Sequence, residues 1–202
     1  LKLDERSVSI TTRHYYERES SIAADRLHHI PIAIETTDEV PPRPTPSEAS
    51  ISGGIAAVET FLRGVIVPPQ GPDQAPRWVS TVPNQFPAPK VDTSNEEIGF
   101  AAKDNVYSMA PFLVKPGEAL IVRGRFPACR FANVVLWNRF LQTLDYTQRR
   151  VSLNRRQTRR EADGSFKLVI AHEDPGVPNW LATEGRMLGT VFWRFQLPEE
   201  AI

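Results

Sequence analysis

From Asn105 onward the texture of this chain changes to short apolar runs bounded by turn residues, a pattern that belongs to strands rather than helices. The runs VYSMAPFLV and ALIVRGRF, joined by KPGE, read as two antiparallel strands. Pro116 suits the first corner of a type II turn, and Gly117 the second, where φ must be positive. In the second strand Leu120, Val122 and Phe126 share one face; Ile121, Arg123 and Arg125 share the other, as on a half-buried strand. Residues 133–142 (NVVLWNRFLQ) carry bulk on both faces and predict a central, doubly covered strand. Residues 148–160 are expected to pair with 166–171 through Ala162-Asp163-Gly164-Ser165. The Asp-Gly pair there is the sequence mark of a type I′ hairpin turn. A closing strand over 190–197 places Val191, Trp193, Phe195 and Leu197 on one face. Eight to ten short strands with tight turns predict a mainly β chain. The expected form is an antiparallel β-sandwich of jelly-roll type with one or two short helices.

Before residue 100 the texture is less regular. Strands are expected over 7–14, 30–35 and 77–82, with 15–29 open between a short helix and an excursion. The VPPRPTP run over 40–46 holds the backbone near polyproline II and reads as a spacer. Residues 50–64 give the best helix. Ser50 or Ser52 can cap it, Ile55, Val58 and Leu62 fall at helical spacing, and Gly64 can end it. Gly53-Gly54 lies in no phosphate-loop pattern and is taken to allow the turn into the helix. The simplest organisation is one domain over 1–202, with 1–100 irregular and 105–199 the regular β half.

Composition removes several classes of function. Lys plus Arg number 24 and Asp plus Glu 24, so no net field draws the chain to nucleic acid or an anionic membrane. A single cysteine, Cys129, excludes an intramolecular disulfide and cysteine-rich zinc sites. No apolar run reaches the roughly 18 residues of a membrane span. The charged start, opening on Leu1, reads as a fragment or processed product and leaves cytoplasm and periplasm both open.

The chemistry-bearing residues concentrate after the strand that ends at Ala171. His172 can act as acid, base or ligand, and Glu173 and Asp174 can orient it or assist catalysis. Asn179 beside Trp180 can stack on and hydrogen-bond a sugar or an aromatic ligand; equally, Trp180 can plug the sheet end. The arginines at 149, 150, 155, 156, 159 and 160 form the one local charge block. Arg155 is the one taken as a ligand contact, suited to a small acid. Strand alternation would split this block between two faces. The four histidines, His14, His28, His29 and His172, show no HxH, HxxxH or HExxH spacing, so no metal or other cofactor is expected. Cys129, placed between strands, reads as a buried inert thiol. Two functions stand on these residues. One is a binding or assembly module for a glycan or small acidic ligand at 172–180. The other is an ester or glycoside hydrolase using His172 with Glu173 or Asp174.

The series KPGEALIVRGRFP, VVLWNRF, SLN, DGS, DPG…NWL and WRFQLPE resembles the bacterial domain of unknown function 1214 over about residues 105–199. That resemblance implies a jelly-roll β-sandwich and a homo-oligomer, and it implies no reaction. The chain departs from the family where NWLP is common, having NWLAT and a longer GRMLGT loop.

Overall fold

The computed structural model describes residues 11–15, 17, 31–33, 35, 39, 41–42, 44–66, 78–91, 102 and 104–199. The chain divides into two compact units, Leu1–His28 with Ala75–Ile202, and His29–Gln74. The irregular N-terminal section is thus shared between two units. In the smaller unit the described regular element is helix α1, Glu48–Ile66. Its cap is Ser47 rather than Ser50 or Ser52: Ser47 Oγ accepts from the Ser50 amide at 3.1 Å, satisfying one orphan donor of the first turn.

Among the described residues the larger unit holds eight strands: β1 (Lys90–Val91), β2 (Asn105–Leu113), β3 (Ala119–Gly124), β4 (Cys129–Trp137), β5 (Ser152–Asn154), β6 (Phe166–Ala171), β7 (Trp180–Ala182) and β8 (Leu188–Pro198). Five form a sheet in the order β1-β2-β8-β4-β5, antiparallel throughout. The other three form a mixed sheet, β3-β6-β7, in which β6 and β7 run parallel. The protein is therefore mainly β.

Both sheets contribute to one core. Val106 and Phe112 of β2, Val134 and Leu136 of β4, and Val191 and Trp193 of β8 meet Leu168 and Ile170 of β6 and Leu181 of β7. Each fully buried aliphatic side chain there is worth roughly 1.5–3 kcal/mol in area removed from water. The outer face of the five-stranded sheet has its own aromatic layer, with Trp137 stacked on Phe192 at 4.3 Å and Tyr107 5.4 Å from Phe192. The Arg194 guanidinium lies 5.2–5.9 Å from the Phe192, Tyr15 and Tyr107 rings, a cation held against π faces.

Several expectations meet this architecture and change. The KPGE turn forms as read, Gly117 having φ 79° and the Glu118 amide bonding the Lys115 carbonyl at 3.0 Å. Yet β2 and β3 do not pair across it; they enter different sheets, so the turn is a corner rather than a hairpin. The 133–142 strand begins earlier and stops at Trp137, and Cys129 lies within it. Asn138 ends it by accepting the Phe140 and Gln142 amides on Oδ1, leaving Phe140 and Leu141 exposed. Residues 148–160 keep only three as strand, and β5 pairs with β4 in the other sheet; Arg160 alone bridges to Phe166.

The turn at 161–165 is also of another type. Gly164 alone has positive φ (82°), the Gly164 amide bonds the Glu161 carbonyl, and the Glu161 amide bonds the Ser165 carbonyl at 2.7 Å. That is a type I turn followed by a glycine bulge, in place of type I′. Leu197 leaves the shared face, half exposed with φ 45°. Of the strand expected over 77–82, the described residues 78–82 carry one parallel bridge, Val79 to Met109. Residues 11–14, 31–33 and 35 carry no strand; the rest of the expected N-terminal strands, and most of 15–29, lie outside the described residues.

Candidate functional site

His172 follows β6 directly, and both its ring nitrogens are engaged. Nε2 lies 3.0 Å from the Val114 carbonyl and Nδ1 2.5 Å from the Thr183 hydroxyl. A carbonyl can only accept, so Nε2 carries the proton, and in the neutral ring Nδ1 accepts from Thr183. The ring thereby ties the end of β2 to the ends of β6 and β7. Glu173 and Asp174 are exposed; Asp174 Oδ1 accepts from the Gly176 amide at 2.8 Å, closing the turn into Gly176. The hydrogen bonds of His172 thus go to a hydroxyl and a carbonyl, with neither neighbouring carboxylate orienting the ring.

Asn179 is buried and bonded at every point. Its Nδ2 donates to the Arg159 carbonyl at 2.7 Å and the Lys167 carbonyl at 2.9 Å, while Oδ1 accepts from the Arg159 amide at 2.8 Å. Trp180 sits half-buried in β7 with its indole nitrogen donating to the Ala171 carbonyl at 3.1 Å. Arg155 donates to the Cys129 and Arg130 carbonyls at 2.8 and 3.2 Å and pairs with Glu17 at 2.9 Å, so it is anchored to β4. Burial pushes the Cys129 thiol up, and the nearby Arg155 charge offsets only part of that. The basic block is dispersed, by the turns that flank β5 rather than by strand alternation, since none of its arginines lies in that strand. Arg150 donates to the Pro178 carbonyl at 2.7 Å, Arg160 lies over Phe126, and Arg159 lines a cleft with residues of the 172–180 loop.

What the fold does assemble is a cleft of about 240 Å³ lined by Arg159, Glu161, Lys167, Val169, Val177, Pro178 and Asn179. The Asn179 bracket creates it by pulling residue 159 and β6 against the end of the 172–180 loop. Its lining thus combines two cationic residues and one acidic residue with two valines and a proline. The adjoining hairpin turn is fixed by Asp163, whose carboxyl is held below the usual aspartate range by the Ser165 hydroxyl and amide. Of the catalytic and ligand-contact candidates named from the sequence, Asn179 lines this cleft. Arg159 belonged to the charge block, and Lys167, on a strand face, carried no signal. A second cleft, about 310 Å³, is lined by Asn84, Leu113, Val114, Glu118, Ala119 and Leu120. Among the described residues no group of three His, Cys, Asp or Glu could hold a metal ion, and no helix is long and apolar enough to cross a membrane.

The fold and this cleft define a mainly β protein of two sheets with a small charged recess at one sheet end. No family model matches the sequence, and no curated protein matches it. Among solved structures it is similar to an uncharacterized protein from Burkholderia cenocepacia, at 25% identity and a TM-score of 0.60, over 79% of this chain and 44% of that one. It is also matched to a protein from Vibrio parahaemolyticus, at 14% identity and a TM-score of 0.45, over 78% and 43% of the two chains. The chain spans less than half the length of either.

Proposed function

We propose that the larger unit is a binding module for a small acidic molecule, seated in the Arg159–Lys167 cleft. The single observation that carries this is the convergence of Arg159 and Lys167 over the Val169, Val177 and Pro178 floor. Arg159 offers a planar fork to a carboxylate or phosphate, and Lys167 a point charge beside it. Glu161 on the rim favours ligands that also carry a hydroxyl or an amine. A glycan is the weaker occupant. Trp180 does not line the cleft, so no aromatic platform is offered for a sugar face.

Two further readings stand with this one. The shared core beneath two sheets supports a jelly-roll type of sandwich, from which the parallel β6–β7 pair departs. Kinship with the domain of unknown function 1214 family rests on the motifs over residues 105–199.

The test is calorimetric titration of the folded chain with small mono- and dicarboxylates, phosphorylated acids and neutral oligosaccharides. The acids are expected to bind, with Arg159→Ala and Lys167→Ala each weakening them by about tenfold or more, while Trp180→Phe leaves binding in place. Retention of acid binding in the Arg159→Ala, Lys167→Ala double variant would remove the cleft as the seat.

A further inference from the structure

The helix α1 bears an apolar stripe that stands in solvent. Ile51, Ile55, Val58 and Leu62 are 53%, 66%, 57% and 46% exposed, and their 4-3-4 spacing is that of a coiled-coil seam. Exposed stripes of this kind mark interaction surfaces. At about 100° per residue, Gly54 and Phe61 fall together on one flank of the stripe, Phe61 being 67% exposed. The other flank carries Glu48, Glu59 and Arg63, with Glu59 and Arg63 paired at 2.8 Å.

Gly54 has no local reason to be glycine. A Cβ built there meets nothing within 4 Å and its φ is not positive, although glycine weakens a helix interior. A 19-residue helix with two internal glycines is also marginal in water without a packed face.

We propose that α1 is a self-association surface, pairing antiparallel with α1 of a second copy about a two-fold axis between Ala56 and Ala57. Charge and size complementarity select this occupant and this orientation. The axis sets Ile51 opposite Leu62 of the second copy, and Ile55 opposite its Val58. In an antiparallel pair, like flanks face each other. Phe61 therefore lies over Gly54 of the second copy, where the missing side chain leaves room. On the other side Arg63 lies beside Glu48 of the second copy, at both ends of the pair. A parallel pair would instead bring Glu48 level with Glu48, leave Arg63 at the opposite end of the pair from Glu48, and set Phe61 against the charged flank. The contact is isologous, so it closes as a dimer. Being one helix wide and about 28 Å long, it is smaller than a standard interface and gives a concentration-dependent dimer. The inference is independent of the acid-binding cleft.

Sedimentation equilibrium of the full 202-residue chain across the micromolar range tests it. A monomer–dimer equilibrium is expected, and Val58→Asp, altering both seams of the dimer, should weaken it on the order of a hundredfold. Gly54→Leu should raise helicity by circular dichroism yet weaken association, because it fills the seat of Phe61. Glu48→Arg should weaken association, and adding Arg63→Glu should restore it; a parallel pair predicts no such rescue. A monomer at every concentration, association unchanged by Val58→Asp, or stronger association of Gly54→Leu would each overturn the proposal.

Discussion

Asn179 joins three stretches of chain with one side chain. Its amide holds the Arg159 carbonyl and amide and the Lys167 carbonyl, 20 and 12 residues away in sequence. Truncation would remove one partner from each of three part-buried backbone groups, at about 1–3 kcal/mol for the donor and less for each carbonyl that keeps another partner. Asn179→Ala is therefore expected to lower the unfolding free energy by about 3 kcal/mol, read from a urea midpoint at unchanged slope. The same variant should open the cleft and abolish acid binding even where the chain is still folded. The sequence does single out Asn179, through NWL, but as a possible ligand contact. Its actual partners depend on where residues 159 and 167 end up, and no local pattern records that. The same holds for Arg155, read as a ligand contact and found anchored to β4 and Glu17.

Among the elements, β8 shows how tightly neighbouring strands constrain one another. Gly189 pairs with Phe112 of β2, and a Cβ there would lie 2.5 Å from the Phe112 ring and 2.6 Å from the Trp137 carbonyl oxygen of β4. Backbone on one side and a fully buried ring on the other leave little to yield. Gly189→Ala is expected to cost about 1–3 kcal/mol, seen as a lowered thermal midpoint. Adding Phe112→Leu should recover part of the loss despite being destabilising by itself, a coupling that a double-mutant cycle measures. Strand positions on this scale were mostly legible. The alternation in β3 appears as exposed Ile121 and Arg123 against half-buried Leu120 and Val122. Strand ends were less so, because Asn138 stops β4 with its own side chain inside a run whose apolar content continues.

At the scale of the molecule, the strand made last is the one at the centre. β8 lies between β2 and β4 in the five-stranded sheet and contributes Val191, Trp193 and Phe195 to the core. A chain ending at Met187 would leave both neighbours with open edges and the core without its middle layer. It is expected to lose the cooperative unfolding transition of the full chain, measured by circular dichroism on heating.

By itself the sequence determined the alternation of β3, the strand character of β2, β6 and β8, the turn at Pro116-Gly117, the helix near 50–64 and the mainly β class. These follow from side-chain period and local backbone preference, which neighbouring residues carry. Only the tertiary structure decided that β2 and β3 part into different sheets, that β5 joins β4 and that β7 runs parallel to β6. It also decided that Arg159 and Lys167 share a cleft with Asn179. Those pairings are set by which apolar faces can be buried together across long stretches of chain, and a period of two is the same whichever partner a strand finds.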